Sequence, residues 1–483
     1  MTVAIGTFSP QSDAATAVDE LDRTALMKAF ATEVLNCTPP QAFAVHGDWG
    51  AGKTSFLLQL KRHLGEQSNR KLVTAVWFEA WRYQNEPVPI LALLHEVRKH
   101  FSELAFAKAI AKRSGAIVFS GLLNCIGEII ERIGLEQVVL PDQDKLREYA
   151  ERYDKERFND PLFSSRIREA LQDAIAELFN HLKMPQAKLI IIVDDLDRCS
   201  SRATYRLLEE LKIYLDLKNC VFVLGINQNE VVKSIAKALN CDAVEASAYL
   251  EKLCPNIVRL PLHGRPEDLL LKWLQDKPPH PHLLRLIESD RYLYSGCLPP
   301  NPRRIKALAN AVGRLWAHAC QLDCHPDRIL AVAQEGTGGI APSLDQQAAA
   351  EQAAQNATQR VILIAYVAQF HATLYQRWQH SGEIWTMLKD WVVKGETSTP
   401  ERQEVFDNMR LPHAAKYRPG DLIANANVVD DDKTPPRVAT EKALAPDYID
   451  PGQPGVFWMA KLVHKLRDQP ADEFRPLLNA RLA

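Results

Sequence analysis

With 483 residues, 46% apolar and 24% charged, the chain is long enough for more than one domain and has the composition of a globular protein. Its 58 basic and 60 acidic side chains leave a net charge of −2, so no global field draws it to nucleic acid or anionic lipid, which still allows a local basic groove. Nine cysteines in so long a chain make no secreted disulfide framework, and Cys125, Cys220 and Cys254 lie in apolar runs; reduced thiols and a cytoplasmic location are expected.

In chain order, Met1 to Asp13 is polar and lacks a charged-then-apolar leader, so export is not expected. Helical spacing then runs from Ala17 to Leu35, through Leu21, Leu26, Phe30 and Val34. Phe43 to His46 is a short apolar run feeding straight into glycines, a strand leading to a loop. Thr54 to Leu64 is predicted helical, with Phe56, Leu57 and Leu60 on one face. Lys71 to Phe78 is β-branched and aromatic, a second strand. The long stretch from Val88 to Ala187 reads helical almost throughout. Within it, Ser114 to Ile130 is apolar but shorter than the roughly 20 residues a spanning helix needs, and it carries Asn124 and Glu128. It reads as a buried or partner-facing helix, with membrane association as the other reading.

Leu189 to Val193 is an unbroken apolar run ending in acids, the pattern of a strand buried on both faces of a parallel sheet. Ser201 to Leu217 is helical, Cys220 to Ile226 another buried strand, Glu230 to Leu239 a helix and Ile257 to Leu262 a last strand. This alternation predicts an α/β fold with an open parallel sheet. Beyond Arg265 the strand signal fades. Pro266 to Gln275, Asn301 to Leu315, Gln346 to Trp378 and Phe457 to Leu466 have helical spacing, interrupted by the Gly-rich Gln334 to Pro342 and by Thr397 to Pro454, rich in Pro, Asp and Asn. The expected division is a nucleotide-binding domain in two parts, 1–87 and 188–264, around a helical insertion, 88–187. A helical lid, 265–330, and a helical C-terminal domain, 331–483, with its irregular loop at 397–454, follow.

The chemistry concentrates in two places. Gly47-Asp48-Trp49-Gly50-Ala51-Gly52-Lys53-Thr54, followed by Ser55, fits G-x-x-x-x-G-K-[ST] in full, between a predicted strand and a predicted helix. Its glycines let successive backbone N–H groups converge on phosphate oxygens at a helix N-terminus. Lys53 can reach the β- and γ-phosphates of ATP, and the Thr54 hydroxyl can ligate Mg2+. The second place is the strand ending in Asp194-Asp195. Asp194 is placed to hold the magnesium and Asp195 to orient or deprotonate an attacking water, a turn or cap acid being the other reading of Asp195.

Around this pair, Arg198 can reach the nucleotide or a neighbouring subunit, or pair with Asp197. Asn227, at the end of the next buried strand, can bond the γ-phosphate or serve as a turn residue. Arg303, opening a helix after Asn301-Pro302, can contact phosphate or form a surface ion pair. His318, Cys320, Cys324 and His325 superficially suggest zinc but lack a paired C-x-x-C. Trp77 to Tyr83 packs aromatics around Glu79 and Arg82 at a strand end, which fits core packing.

Together these motifs resemble the KAP family of P-loop NTPases, of the additional-strand catalytic-acid division. The matches are the Gly47 to Ser55 loop, Trp77 to Pro87, Asp194 to Cys199, Tyr249 to Leu253, Asn301 to Arg303 and Asp19 to Arg23. The resemblance implies an ATP-binding fold with strand order 5-1-4-3-2 and a large insertion between the two nucleotide motifs, which the interval from Thr54 to Asp194 accommodates. In many members that insertion carries transmembrane hairpins, whereas here Ser114 to Ile130 is the sole candidate. Members include bacterial phage-exclusion ATPases and animal membrane-associated scaffolds. The implied function is binding and hydrolysis of Mg-ATP to switch the helical C-terminal half, a partner or an effector, in antiphage defence, with a protein partner or a homo-oligomer expected; the alternative is an ATP-binding scaffold with negligible turnover, associated with a membrane. A nucleic-acid motor lacks support, since no aromatic-and-basic stripe is present.

Overall fold

The computed structural model describes residues 10–71, 73–85, 92–93, 96–97, 168, 172, 188–214, 217–261, 265–275, 281–291, 294, 298, 301–335, 343–394 and 462–479. Most of the expected insertion, including Ser114 to Ile130, and the loop from Thr397 to Pro454 lie outside the described residues. The chain divides into two compact units, one of Ala15–Asp48 and Gly52–Pro261, the other of Met1–Ala14, Trp49–Ala51 and Leu262–Ala483.

The first unit is built on α1 (Thr24–Asn36), β1 (Gln41–His46), α2 (Lys53–Lys71), β2 (Val73–Glu79), β3 (Lys188–Asp194), α3 (Ser201–Tyr214), β4 (Cys220–Ile226), α4 (Gln228–Leu239), α5 (Ala243–Leu253) and β5 (Asn256–Arg259). Its strands form one parallel sheet in the order β2-β3-β4-β1-β5, which from the other edge is the expected 5-1-4-3-2. All seven residues of β4 are buried, and β3 is buried from Leu189 onward. The reason is two-sided packing. Along β3, Ile190 and Ile192 join Phe43, Val45, Val221 and Val223 beneath α1 and α2, against Phe30, Val34, Phe56, Leu57 and Leu60. Ile191 and Val193 point the other way, with Ala44, Phe222 and Leu224, into Leu207, Leu211, Val231, Ile235 and Leu250 of α3, α4 and α5. Successive residues of a strand face opposite sides, so a strand with helices on both faces must be apolar throughout.

Helix starts follow local chemistry. Asn227 caps α4 by accepting from Asn229 N, and Asp242 caps α5 by accepting from Val244 N and Glu245 N. Helix α5 was not among the sequence expectations, which took only its Tyr249 to Leu253 end as a motif. Helix α1 starts at Thr24 rather than Ala17, because Asp19 binds the backbone N–H of Leu21 and Thr24 and holds the preceding residues in a turn.

The second unit is helical: α6 (Pro266–Leu274), α7 (Pro281–Ser289), α8 (Pro302–Ala319), α9 (Pro326–Glu335), α10 (Leu344–Phe370), α11 (Ala372–His380), α12 (Glu383–Lys394) and the short α13 (Arg475–Asn479). Helix α10 begins with a Ser343/Gln346 capping box and is buried on every side from Ala357 to Val367, as the central helix of the unit. The sequence predicted one helix from Gln346 to Trp378. Instead the chain breaks at His371, whose backbone leaves the helical region at φ −135°. Trp378 and Trp385 stack in parallel, with Phe474 against both. No helix among the described residues is long and apolar enough to cross a membrane.

Candidate functional site

The Gly47–Thr54 loop leaves the central region of the sheet, where Gly47 N still donates to Ile226 O at 3.2 Å. Gly50 and Gly52 take φ of 81° and 86°, a region that L side chains rarely adopt, so the loop's curvature depends on glycine at both positions. Phe56 N then bonds Gly52 O at 3.0 Å, starting α2 with Lys53 as its first residue. Lys53 is 7% exposed, and its amine donates to Gly47 O at 2.8 Å and meets Asp197 Oδ2 at 3.3 Å. Ser55 Oγ accepts from Thr16 N.

Within the helical unit, the loop tip is tied by the start of α8. Asn301 is buried; its Nδ2 donates to Trp49 O at 2.8 Å, while its Oδ1 caps α8 by accepting from Arg304 N. Arg303 N donates to Gly50 O at 3.4 Å. The side chains of Trp49 and Arg303 turn elsewhere: Trp49 is 48% exposed, and Arg303 Nε pairs with Asp13 Oδ2 at 2.8 Å. Lys306 and Asn310, further along α8, bond the backbone of Ser12 and Gln11.

Three carboxylates stand at the carboxyl end of β3, Asp194 as its last residue and Asp195 and Asp197 just beyond it, each with a different environment. Asp194 is 1% exposed, and burial, reinforced by the charge of Asp195, pushes its pKa up to about 6. The Thr54 hydroxyl and Lys53 oppose that shift, yet neither Asp194 oxygen has a well-formed hydrogen bond. Asp195 stands in the left-handed region at φ 59° and opens the 3-10 turn Leu196–Arg198. Burial raises its pKa against the opposing charge of Arg198, whose Nε lies 2.8 Å from Asp195 Oδ1. The arginine therefore pairs with Asp195, three residues back, and not with Asp197. Asp197 turns inward to Lys53.

Asn227 stands at the carboxyl end of β4. Its carbonyl oxygen serves the cap of α4 and its amide reaches Asp48 Oδ1 at 3.4 Å, so the turn role of this asparagine is filled within the loop's own surroundings. His46 Nδ1 accepts from Gln228 N, and burial followed by repulsion from Arg259 lowers its pKa. Two residues escaped the sequence reading. Asp197 appeared there only as a partner for Arg198. Gly225 has no side chain because Asp194 and Leu57 fill the space in front of it: a Cβ would stand 2.6 Å from Asp194 Oδ1 and from Leu57 Cδ1.

The donor set fits magnesium in one respect: a buried carboxylate with unsatisfied oxygens beside a threonine hydroxyl is a hard, oxygen-only corner. Among the described residues, no group of three or more His, Cys, Asp or Glu could hold an ion alone, so most ligands would come from nucleotide phosphates and water. The same observation removes the zinc reading. His325 is instead packed edge-on against Trp316, and its Nδ1 accepts from Asp327 N.

The sequence profile of the KAP family P-loop domain matches residues 23–316. The chain belongs to the KAP family. The match takes in the loop, the acids after β3 and the start of α8, and it makes this a P-loop NTPase domain, a nucleotide-binding fold. Comparison with curated proteins gives no match. Among solved structures, that of the Aeropyrum pernix ORC1 protein in complex with DNA is similar at 13% identity, over 82% of this chain and 85% of that one. The TM-score is 0.33.

Proposed function

We propose that this KAP-family chain binds and hydrolyses Mg-ATP and uses the cycle to switch a partner protein or a second copy, in antiphage defence. The observation that carries the hydrolytic part is Asp194: its buried carboxylate has no well-formed hydrogen bond and stands beside Thr54 and the Lys53 amine. A folded protein rarely leaves a buried carboxylate so unserved, and a phosphate-bound cation would satisfy it. In this reading Gly47 to Ser55 wraps the phosphates, Lys53 meets the β- and γ-oxygens, and Thr54 and Asp194 hold magnesium. Bound there, the ion would neutralise charge on the transferring phosphoryl group. Asp195 orients the attacking water, Asn227 steadies the loop through Asp48, and Arg198 and Arg303 are the candidates for neutralising transition-state charge.

The setting in defence rests on the phage-exclusion members that the motifs resemble. A second reading, an ATP-holding scaffold with negligible turnover, is favoured by the ion pair that occupies Asp195. ATP binding and turnover by wild type and Lys53→Ala test the site. The expected result is binding and hydrolysis by wild type and loss of both in the variant. Equal nucleotide affinity in the two proteins would sink the assignment, and binding without turnover in wild type would favour the scaffold.

A further inference from the structure

Lys53 and Asp197 are far apart in the chain, yet they form an ion pair whose side chains are only 8% and 1% exposed. The pair lies buried inside the first unit. The Lys53 amine takes three acceptors there, Gly47 O at 2.8 Å, Asp48 O at 3.5 Å and Asp197 Oδ2 at 3.3 Å. An ammonium has three protons, so this set leaves it no spare donor. The partition of the three acids makes the pairing specific. Asp195 is taken by Arg198, Asp194 is beside Thr54, and Asp197 alone is carried inward by the 3-10 turn to face the lysine. That turn is anchored from below, where the buried Thr204 hydroxyl donates to Leu196 O at 3.2 Å.

We propose that Asp197 is the resident counter-ion of Lys53, a positioning residue that phosphate must displace when a nucleotide binds. A buried amine without its counter-ion is costly, so Asp197 keeps Lys53 folded into the loop while no phosphate is present. A nucleoside di- or triphosphate brings oxygens that replace the carboxylate. A monophosphate bound by its base and ribose has no β-phosphate to draw the amine away. The pair therefore lowers the affinity for nucleotides with two or more phosphates, which must displace it, and leaves that for a monophosphate untouched. This inference rests on the proposed reading that Lys53 meets the β- and γ-phosphates.

The test compares wild type, Asp197→Asn and Lys53→Ala by calorimetric titration with ATP, ADP and AMP without metal, alongside thermal denaturation of the nucleotide-free proteins. Asparagine keeps the shape and removes the charge. The expected result is ATP and ADP affinity higher by about fivefold or more, AMP affinity unchanged, and a lower melting temperature for the nucleotide-free Asp197→Asn protein, since a buried charge has lost its partner. Unchanged or weaker ATP affinity in Asp197→Asn, with ATP binding lost in Lys53→Ala, overturns the counter-ion role and leaves the phosphate site standing. ATP binding by Lys53→Ala equal to wild type overturns the phosphate reading itself, and this inference with it. Should Asp197→Asn fail to fold, crystal structures of wild type without nucleotide and with a non-hydrolysable ATP analogue decide the matter. Separation of the Lys53 amine from Asp197 beyond about 4 Å, with the amine on phosphate, supports the proposal, and a retained pair refutes it.

Discussion

Gly225 and Asp194 stand side by side on neighbouring strands, and the space that a Gly225 side chain would need is already filled by the Asp194 carboxylate. A Cβ there would lie 2.6 Å from both Asp194 Oδ1 and Leu57 Cδ1, and both of those side chains are buried, so neither yields freely. Gly225→Ala is therefore expected to destabilise the fold by about 1–3 kcal/mol, the usual range for overpacking. It should also weaken magnesium-dependent ATP binding, because relief of the clash displaces Asp194. Denaturant unfolding and ATP titrations with and without Mg2+ check both effects. Wild-type stability and affinity would show that the strand simply shifts.

The two adjacent acids at the end of β3 should separate by function. Asp194→Asn removes a charge that burial holds at a raised pKa, so the nucleotide-free protein should be no less stable than wild type, while the gain in ATP affinity from Mg2+ should disappear. Asp195→Asn should still bind Mg-ATP but lose turnover by about 10²-fold or more, because an amide accepts no proton from water. Steady-state turnover and calorimetric titration on both variants distinguish the cases. Normal turnover in both would exclude this pair from the chemistry.

His371, at the break between α10 and α11, gives the helical unit a pH response. Burial, with repulsion from Arg304, depresses its pKa from 6.5 to about 4. The unfolded chain therefore takes up a proton on this ring between pH 6.5 and about 4 that the folded chain refuses, and stability falls as pH falls through that window. The full shift corresponds to about 3 kcal/mol. His371→Gln should flatten that part of the acid limb in urea unfolding measured at stepped pH. An unchanged limb would show that other groups carry it.

Much of this was legible in the sequence, for identifiable reasons. The runs Leu189 to Val193 and Cys220 to Ile226 are apolar at every position because alternate residues feed two different cores. The phosphate-type loop was readable because its backbone at Gly50 and Gly52 admits little else. The misses have physical causes too. His371 ends α10 without a glycine or proline, so helical periodicity runs on through the break. Arg198 looked like a partner for its neighbour Asp197, but in a tight 3-10 turn adjacent side chains diverge while residues three apart align. The true partner of Asp197, Lys53, lies on a separate element, and no local pattern reports such a pairing.

The last prediction concerns how turnover is switched on. Arg198 and Arg303 each have a carboxylate partner within 2.8 Å, and each arginine side chain is 46% exposed. Ion pairs at that exposure contribute about 0–1 kcal/mol, so either arginine can exchange its partner for a better one at little cost. The pair at Asp195 has a further consequence: while Arg198 holds that carboxylate, it competes with any water that Asp195 would orient. Contact with a second copy or a partner that draws Arg198 away would free Asp195 and supply an arginine for transition-state charge in one movement. Turnover per chain is therefore expected to rise with protein concentration in wild type. Arg198→Ala should lose that rise, because there is no longer an arginine to redirect, and Arg303→Ala should lower the rate at every concentration, because no arginine there can leave Asp13 for phosphate. The measurement is ATP turnover across a wide concentration range, with sedimentation on the same samples to follow assembly. A rate per chain that ignores concentration in wild type, and is unaltered in both variants, describes a self-sufficient monomer whose two arginines only decorate the surface.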